Sequence, residues 1–129
     1  MSVEVWLGFL LAATIGACAR FLIDTYVTVR VGGPFPWGTG VINISGSFVL
    51  GVITGAVLYH AVSPEVRFVL GTGFCGAYTT FSTMQLELLK MVDHHRYGLA
   101  AGYTVASVAG GYFLVFAATA LVRRVRVIA

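Results

Sequence analysis

The sequence has 129 residues, 58% hydrophobic and 10% charged, with a formal net charge of +3 and a mean hydropathy of +0.90. About a quarter of the residues in a soluble domain are charged, so this composition excludes an ordinary water-soluble fold and predicts an all-α membrane protein. The charge is too small and too scattered for nucleic-acid binding, which leaves membrane lipid as the surrounding partner.

Four apolar stretches, residues 5–29, 37–60, 66–92 and 97–122, each reach the ~20 residues that cross a bilayer as a helix. They predict a single four-helix transmembrane domain over residues 1–129, with no length left for a soluble domain. The first stretch reads as a span and not as a signal peptide. Its only early charge is Glu4, and its apolar region is too long.

Span 1 carries Gly8, Ala12 and Gly16 at i, i+4 spacing, then Arg20 and Asp24 in the same register. Small residues let helices approach closely where lipid supplies no hydrophobic drive. Arg20 and Asp24 can pair one turn apart near a helix end, or serve an aqueous vestibule. The segment Gly32-Gly33-Pro34-Phe35-Pro36-Trp37-Gly38 is turn chemistry with an interfacial tryptophan.

Span 2 places Thr39, Asn43 and Ser47 on one face, with Thr54 beyond and Gly51 and Gly55 in a small-xxx-small rhythm. An amide buried in a membrane either ties two helices together or meets a polar substrate. On spacing alone, Asn43 fits both.

Span 3 opens on Ser63-Pro64-Glu65, with Ser63 a candidate N-cap and Pro64 in the first turn. It then runs through Gly71, Gly73 and Gly76 into Tyr78, Thr79, Thr80, Phe81, Ser82 and Thr83 before reaching Glu87. Hydrocarbon cannot satisfy freed carbonyls or a row of hydroxyls, so such a segment must be buried in protein or line a polar cavity. The expectation is a helix broken mid-membrane at the glycines, exposing backbone groups to an ion. The glycines also satisfy GxGxxG with Asp93 downstream, but that fingerprint needs a preceding strand and a parallel sheet. Helical spacing puts Thr79, Thr83, Glu87 and Lys90 in one sector, and Phe81, Met84, Gln85 and Leu88 in another. An aromatic ring beside a polar pore presents a partly positive edge, which an aliphatic side chain lacks.

After span 3 come Asp93, His94, His95 and Arg96; adjacent histidines face different ways and have no third ligand, so they read as a solvated loop. Span 4 repeats Gly98, Gly102, Ala106 and Gly110 as a packing face, with Tyr103 and Ser107 on a second, polar line. Cys18 and Cys75 lie within apolar stretches, show no CxxC pairing and read as buried free thiols.

Four spans put both termini on one side. Arg67, Arg123, Arg124 and Arg126 then face Arg30, Lys90 and Arg96 across the membrane, a near tie under the positive-inside rule. Dual topology is expected, with oppositely inserted copies pairing about a two-fold axis in the membrane plane.

The segment GTGFCGAYTTFSTMQLE, together with Arg20 in GACARF, Asn43 in GTGVINISGS and the Tyr103/Ser107 pair, resembles the Fluc (CrcB) fluoride channels over almost the whole chain. The resemblance implies a channel and not an enzyme: a multi-pass protein of the cell (inner or plasma) membrane, working as an antiparallel homodimer with two fluoride pores. It implies a structural sodium ion at the dimer centre, held by backbone carbonyls matching Gly76 and Thr79. A helix unbroken through Gly76 would leave no such site. Fluoride would pass Asn43 and Phe81, then hydroxyls matching Ser82, Thr83 and Ser107, with Tyr103 nearby and Arg20 and Glu87 at vestibule positions. Met84 stands where the family usually carries a second phenylalanine, so it joins the pathway set as a departure. Gly76-Ala77 replaces a Gly-Gly doublet at the break.

Such a channel would release fluoride passively from a cell with a negative interior, protecting it from fluoride toxicity. Physical chemistry alone supports a small polar ion, and fluoride comes from the resemblance. The alternative is a small dual-topology proton-coupled exporter, which needs an embedded carboxylate; Glu87 is the candidate.

Overall fold

The computed structural model describes residues 1–125, all helical with no strand among them. Helix α1 spans Val3–Val31, with the Ser2 hydroxyl accepting from the Val5 N–H at its start. It ends at Gly32, and Gly32 and Gly33 both take positive φ, +63° and +85°, conformations that glycine adopts without a Cβ clash. Helix α2 spans Trp37–Tyr59.

The third apolar stretch divides. Its first part, here α3, joins a short turn Pro64–Val66, a π-helical segment Arg67–Cys75 and a last α-turn Gly76–Tyr78. Ser63 occupies the N-cap position, with Pro64 just inside the helix. Thr79 and Thr80 are extended, at φ/ψ of −79°/157° and −146°/111°. Helix α4 follows over Phe81–Asp93, and α5 spans Tyr97–Arg124. Three helices, α1, α2 and α5, are long and apolar enough to cross a membrane. Arg126, counted above on the side of the termini, lies outside the described residues.

Small residues set the packing. On α1, Gly8 meets Val69, Ala12 is buried, and Gly16 lies against the Phe74 carbonyl. Phe9 stacks on Phe68 at 4.7 Å between ring centroids, and Trp6 meets both rings edge-on. Between α2 and α5, Gly51 lies against Val115 and Ala118 and Gly55 against Val122. The Thr119 hydroxyl donates to the Gly51 carbonyl at 3.0 Å. A side chain at either glycine would force the helices apart, which is why this seam requires glycine.

The spacing of span 4 has a mixed outcome. Gly110 packs on Ile44, whereas a side chain added at Gly98 or Gly102 would meet open space. Arg20 and Asp24 do not pair: the Arg20 Nε is buried without a hydrogen-bond partner, and Asp24 lies against Gly38 of α2. That close α1–α2 approach takes the carboxylate away from its neighbour one turn back. Many large apolar side chains, including Phe21, Tyr112, Phe113 and Phe116, are exposed on the single chain, as lipid or a second protein surface requires.

Candidate functional site

The two extended residues between α3 and α4 lie beside Asn43 of α2. The Asn43 Oδ1 accepts the Thr80 N–H at 2.8 Å, and its Nδ2 donates to the Thr80 carbonyl at 3.1 Å. One side-chain amide thus satisfies both backbone groups of one residue, as a neighbouring strand would. Thr80 also caps α4. Its hydroxyl oxygen accepts the Thr83 N–H at 3.2 Å while donating to the Thr83 hydroxyl at 2.9 Å. Thr79 closes α3, with its N–H and its hydroxyl both donating to the Cys75 carbonyl at 2.9 Å.

These bonds change what the preceding carbonyls can do. In a continuous helix the Thr80 N–H would bond the Gly76 carbonyl, and the Thr83 N–H would bond that of Thr79. Here the first goes to Asn43 and the second to the Thr80 hydroxyl. The interruption is therefore not at the glycines. Gly76 is itself helical, at φ −64° and ψ −35°, and its N–H reaches back to the Gly71 and Gly73 carbonyls. The chain leaves the helix at Thr79, because a threonine can satisfy its own turn with its hydroxyl and Asn43 can satisfy the next residue.

A cavity of about 320 Å³ opens at this point. Asn43, Ser47, Gly76, Thr79, Thr80, Phe81, Met84 and Ser107 line it, so four helices, α2 to α5, and the extended pair contribute. Phe81 is 72% exposed, whereas Met84, three residues on, is 5% exposed and packs with Met91, Ala100 and Tyr103. The stripe that spacing assigns to both residues is therefore split by depth. Ser82 is exposed, Thr83 is bonded to Thr80, and neither lines the cavity.

Glu87 and Tyr103 belong to a second cluster. The Glu87 carboxylate accepts the Thr39 hydroxyl at 2.6 Å and the Tyr103 hydroxyl at 2.8 Å. Glu87 also lines a separate cavity of about 250 Å³ with Thr28, Lys90, His94 and Arg96, below the turn at residues 32–37. Arg20 lines neither cavity. Three contributors were not singled out from sequence: Thr80 as cap, Thr39 as carboxylate partner, and Cys75 in the cavity wall. Thr80 had a visible signal, a threonine directly before an apolar-periodic helical run, which is a favoured N-cap residue. Thr39 shares the Asn43 face. Cys75 offered no signal beyond its expected burial, which it has, whereas Cys18, also expected inside, is exposed on the single chain.

The sequence also matches known proteins. Residues 7–119 fit the family described as CrcB-like protein, Camphor Resistance (CrcB). The fluoride-specific ion channel FluC 1 of Mycolicibacterium paratuberculosis is 47% identical over 116 residues, 88% of this chain and 86% of that protein. FluC 1 of Streptomyces avermitilis is 42% identical over 112 residues, covering 87% of this chain and 90% of that one. FluC of Koribacter versatilis is 38% identical over 126 residues, 97% of this chain and the whole of that protein. The family match spans residues 7–119, a range that holds every residue lining the cavity, and the relatives are 38–47% identical over most of the chain, so the chain is a member of the CrcB family.

Proposed function

We propose that the protein is a fluoride-specific ion channel that lets fluoride leave the cell passively, working as an antiparallel, dual-topology homodimer with two pores. The observation that carries this reading is the polar cavity at the Thr79–Thr80 interruption, where Asn43, Phe81 and Ser107 meet. The names of the relatives supply the ion.

In this reading α3 and α4 together form a third span broken mid-membrane. Fluoride is small and strongly hydrated, so it enters only where donors replace its water. Asn43 keeps one N–H beyond the one given to Thr80. The Ser107 hydroxyl can rotate to donate, and the Phe81 ring can turn its positive edge to the anion. Ser82 and Thr83 lie outside that cavity and Arg20 lines neither cavity. Their places on the path and in a vestibule rest on the family resemblance, with Glu87 and its partner Tyr103 at one end. Met84 forms the wall where a second ring would stand.

Helix α3 runs unbroken through Gly76, the condition stated above as leaving no sodium site, but it stops at Tyr78. The break one turn on frees the Gly76 carbonyl all the same, so a sodium ion at the dimer centre still suits the residues present. The Gly76 and Thr79 carbonyls have lost the helical donors they would otherwise accept from, and Gly76 is exposed with open space on its side-chain side. When bound, the ion would supply fixed positive charge that favours an anion in both pores.

Fluoride efflux from liposomes holding the purified protein tests the assignment. Efflux should follow the fluoride gradient and voltage, with chloride excluded. A proton-coupled exporter would instead need a pH gradient and would stop with Glu87→Gln. The geometry favours the channel, because both Glu87 oxygens are engaged by hydroxyls and the residue does not line the cavity at Asn43.

A further inference from the structure

The Asn43 carboxamide has two conceivable partners, a permeating anion and the backbone, and its distances to Thr80 show that the backbone already holds it. Both atoms of the amide are engaged, at 2.8 and 3.1 Å, and the residue they hold is extended. An extended residue in a membrane span needs an outside partner for its N–H and C=O, since neither closes within a helix. Asn43 is that partner. The Ser47 hydroxyl donates to the backbone carbonyl of Asn43 at 2.7 Å, one turn along α2.

We infer that Asn43 is a positioning residue for the central cation: by taking the Thr80 N–H it keeps the Gly76 carbonyl open, so the cation site depends on a side chain that lines the anion pathway. This inference rests on the dimer-and-cation reading above and deepens it. Without the amide acceptor, the Thr80 N–H loses the partner it has here, and pairing it with the Gly76 carbonyl, as in a continuous helix, would carry α3 on through Thr80. The oxygen offered to the cation would then be engaged by a backbone N–H. The two ion sites are linked through one residue, with no further moving part.

The chemistry separates this role from anion binding. Asn43→Asp keeps an oxygen that accepts the Thr80 N–H in either protonation state, yet removes the amide donor and adds repulsion for an anion. Asn43→Leu has similar bulk and no acceptor at all.

The test measures the thermal unfolding midpoint of the purified protein in detergent across a sodium chloride series, with N-methyl-D-glucamine chloride holding ionic strength constant. Wild type should show saturable stabilisation by sodium. In Asn43→Leu the sodium concentration at half-effect should rise about tenfold or more, the factor that accompanies loss of one well-made polar ligand. Asn43→Asp should keep a sodium response near that of wild type while its fluoride flux is lost. Should Asn43→Leu not yield folded protein, Asn43→Ala carries the same expectation and the same refutation. A wild-type sodium response in the acceptor-less variant, or a loss in Asn43→Asp as large as in Asn43→Leu, overturns the inference. No sodium response in wild type refutes the cation site itself and the inference with it.

Discussion

The Tyr103 hydroxyl donates to the Glu87 carboxylate at 2.8 Å and ties α5 to α4, while Thr39 of α2 holds the other oxygen. Tyr103 is only 1% exposed, so this is an inner joint of the bundle and not a residue waiting in open space. Its ring also meets Phe35 edge-on at 5.3 Å, which secures the turn between α1 and α2. Three helices and one turn thus converge on a single carboxylate.

Tyr103→Phe should lower stability by about 1.5–3 kcal/mol, the usual worth of a hydrogen bond to a charged group. Glu87→Ala should be worse, because it leaves the Thr39 and Tyr103 hydroxyls both without a partner. Thermal unfolding of the purified protein in detergent checks the order. A Tyr103→Phe protein as stable as wild type would mean that the hydroxyl bond contributes nothing net.

Phe81 and Met84 separate function from packing. Exposed on the single chain, Phe81 makes little of the core, so Phe81→Ile should fold normally. Its loss should appear in fluoride efflux. A ring-edge contact is about 0.5–1.5 kcal/mol, and the upper end is a factor of ~10 in rate. Met84 lies in the cluster with Tyr103, so Met84→Ala should cost about 2 kcal/mol or more in stability and reduce flux only in part. Met84→Phe, which restores the ring usual in the family, should retain flux at an overpacking cost of about 1–3 kcal/mol. Efflux from liposomes, beside an unfolding curve for each variant, gives both readings. A conducting Phe81→Ile with a folded but silent Met84→Ala would reverse the two roles.

What the sequence disclosed depended on whether a feature is local. The line Gly8, Ala12, Gly16 finds its neighbours on α3, since small residues at helical spacing specify close approach whatever the partner. The shared face of Thr39, Asn43 and Ser47 was visible for the same reason. Which groups that face would meet was not, because it depends on how α2 packs against α3, α4 and α5. So Thr39 finds Glu87, and Asn43 finds the Thr80 backbone. The interruption was expected at the glycines and lies at Thr79–Thr80. Glycine permits a break, but a break is made where other groups satisfy the backbone. Arg20 and Asp24 stand in pairing register, yet Asp24 packs on Gly38, a contact between helices that spacing within one helix cannot report.

Dual topology is testable through charge. With Arg67, Arg123, Arg124 and Arg126 set against Arg30, Lys90 and Arg96, neither side holds a decisive excess. A single cysteine placed at the C-terminus of a protein whose Cys18 and Cys75 are replaced should be labelled from both sides of the membrane. Adding two lysines to the turn at residues 32–36 should drive nearly all copies into one orientation. Fluoride flux should then fall, since an antiparallel pair needs both orientations. Full flux from a uniformly oriented population would contradict the antiparallel dimer.

Two glycines distinguish packing within the chain from packing between chains. Gly51 faces the Val115 carbonyl and the Ala118 methyl, where an added Cβ would lie 2.6 and 2.8 Å away. Neither neighbour is the end of a flexible side chain, so α2 and α5 must separate. Gly51→Ala should therefore destabilise each subunit, by about 1–3 kcal/mol as overpacking usually does. Gly102 belongs to the small-residue line of α5, but a Cβ there meets nothing. Close approach is what such a line provides, and within one chain Gly102 has no helix to approach. A second copy is the remaining use for it in the dimer reading. Gly102→Leu should then leave the subunit folded, with helix content and unfolding midpoint near wild type, and shift the population in detergent from dimer to monomer on size exclusion. Gly51→Ala should do the reverse, losing midpoint in proportion to misfolded subunit. If Gly102→Leu remains dimeric and conducts, this face of α5 meets lipid, and the dimer contact must be sought at the exposed aromatic residues Phe21, Phe81 and Tyr112.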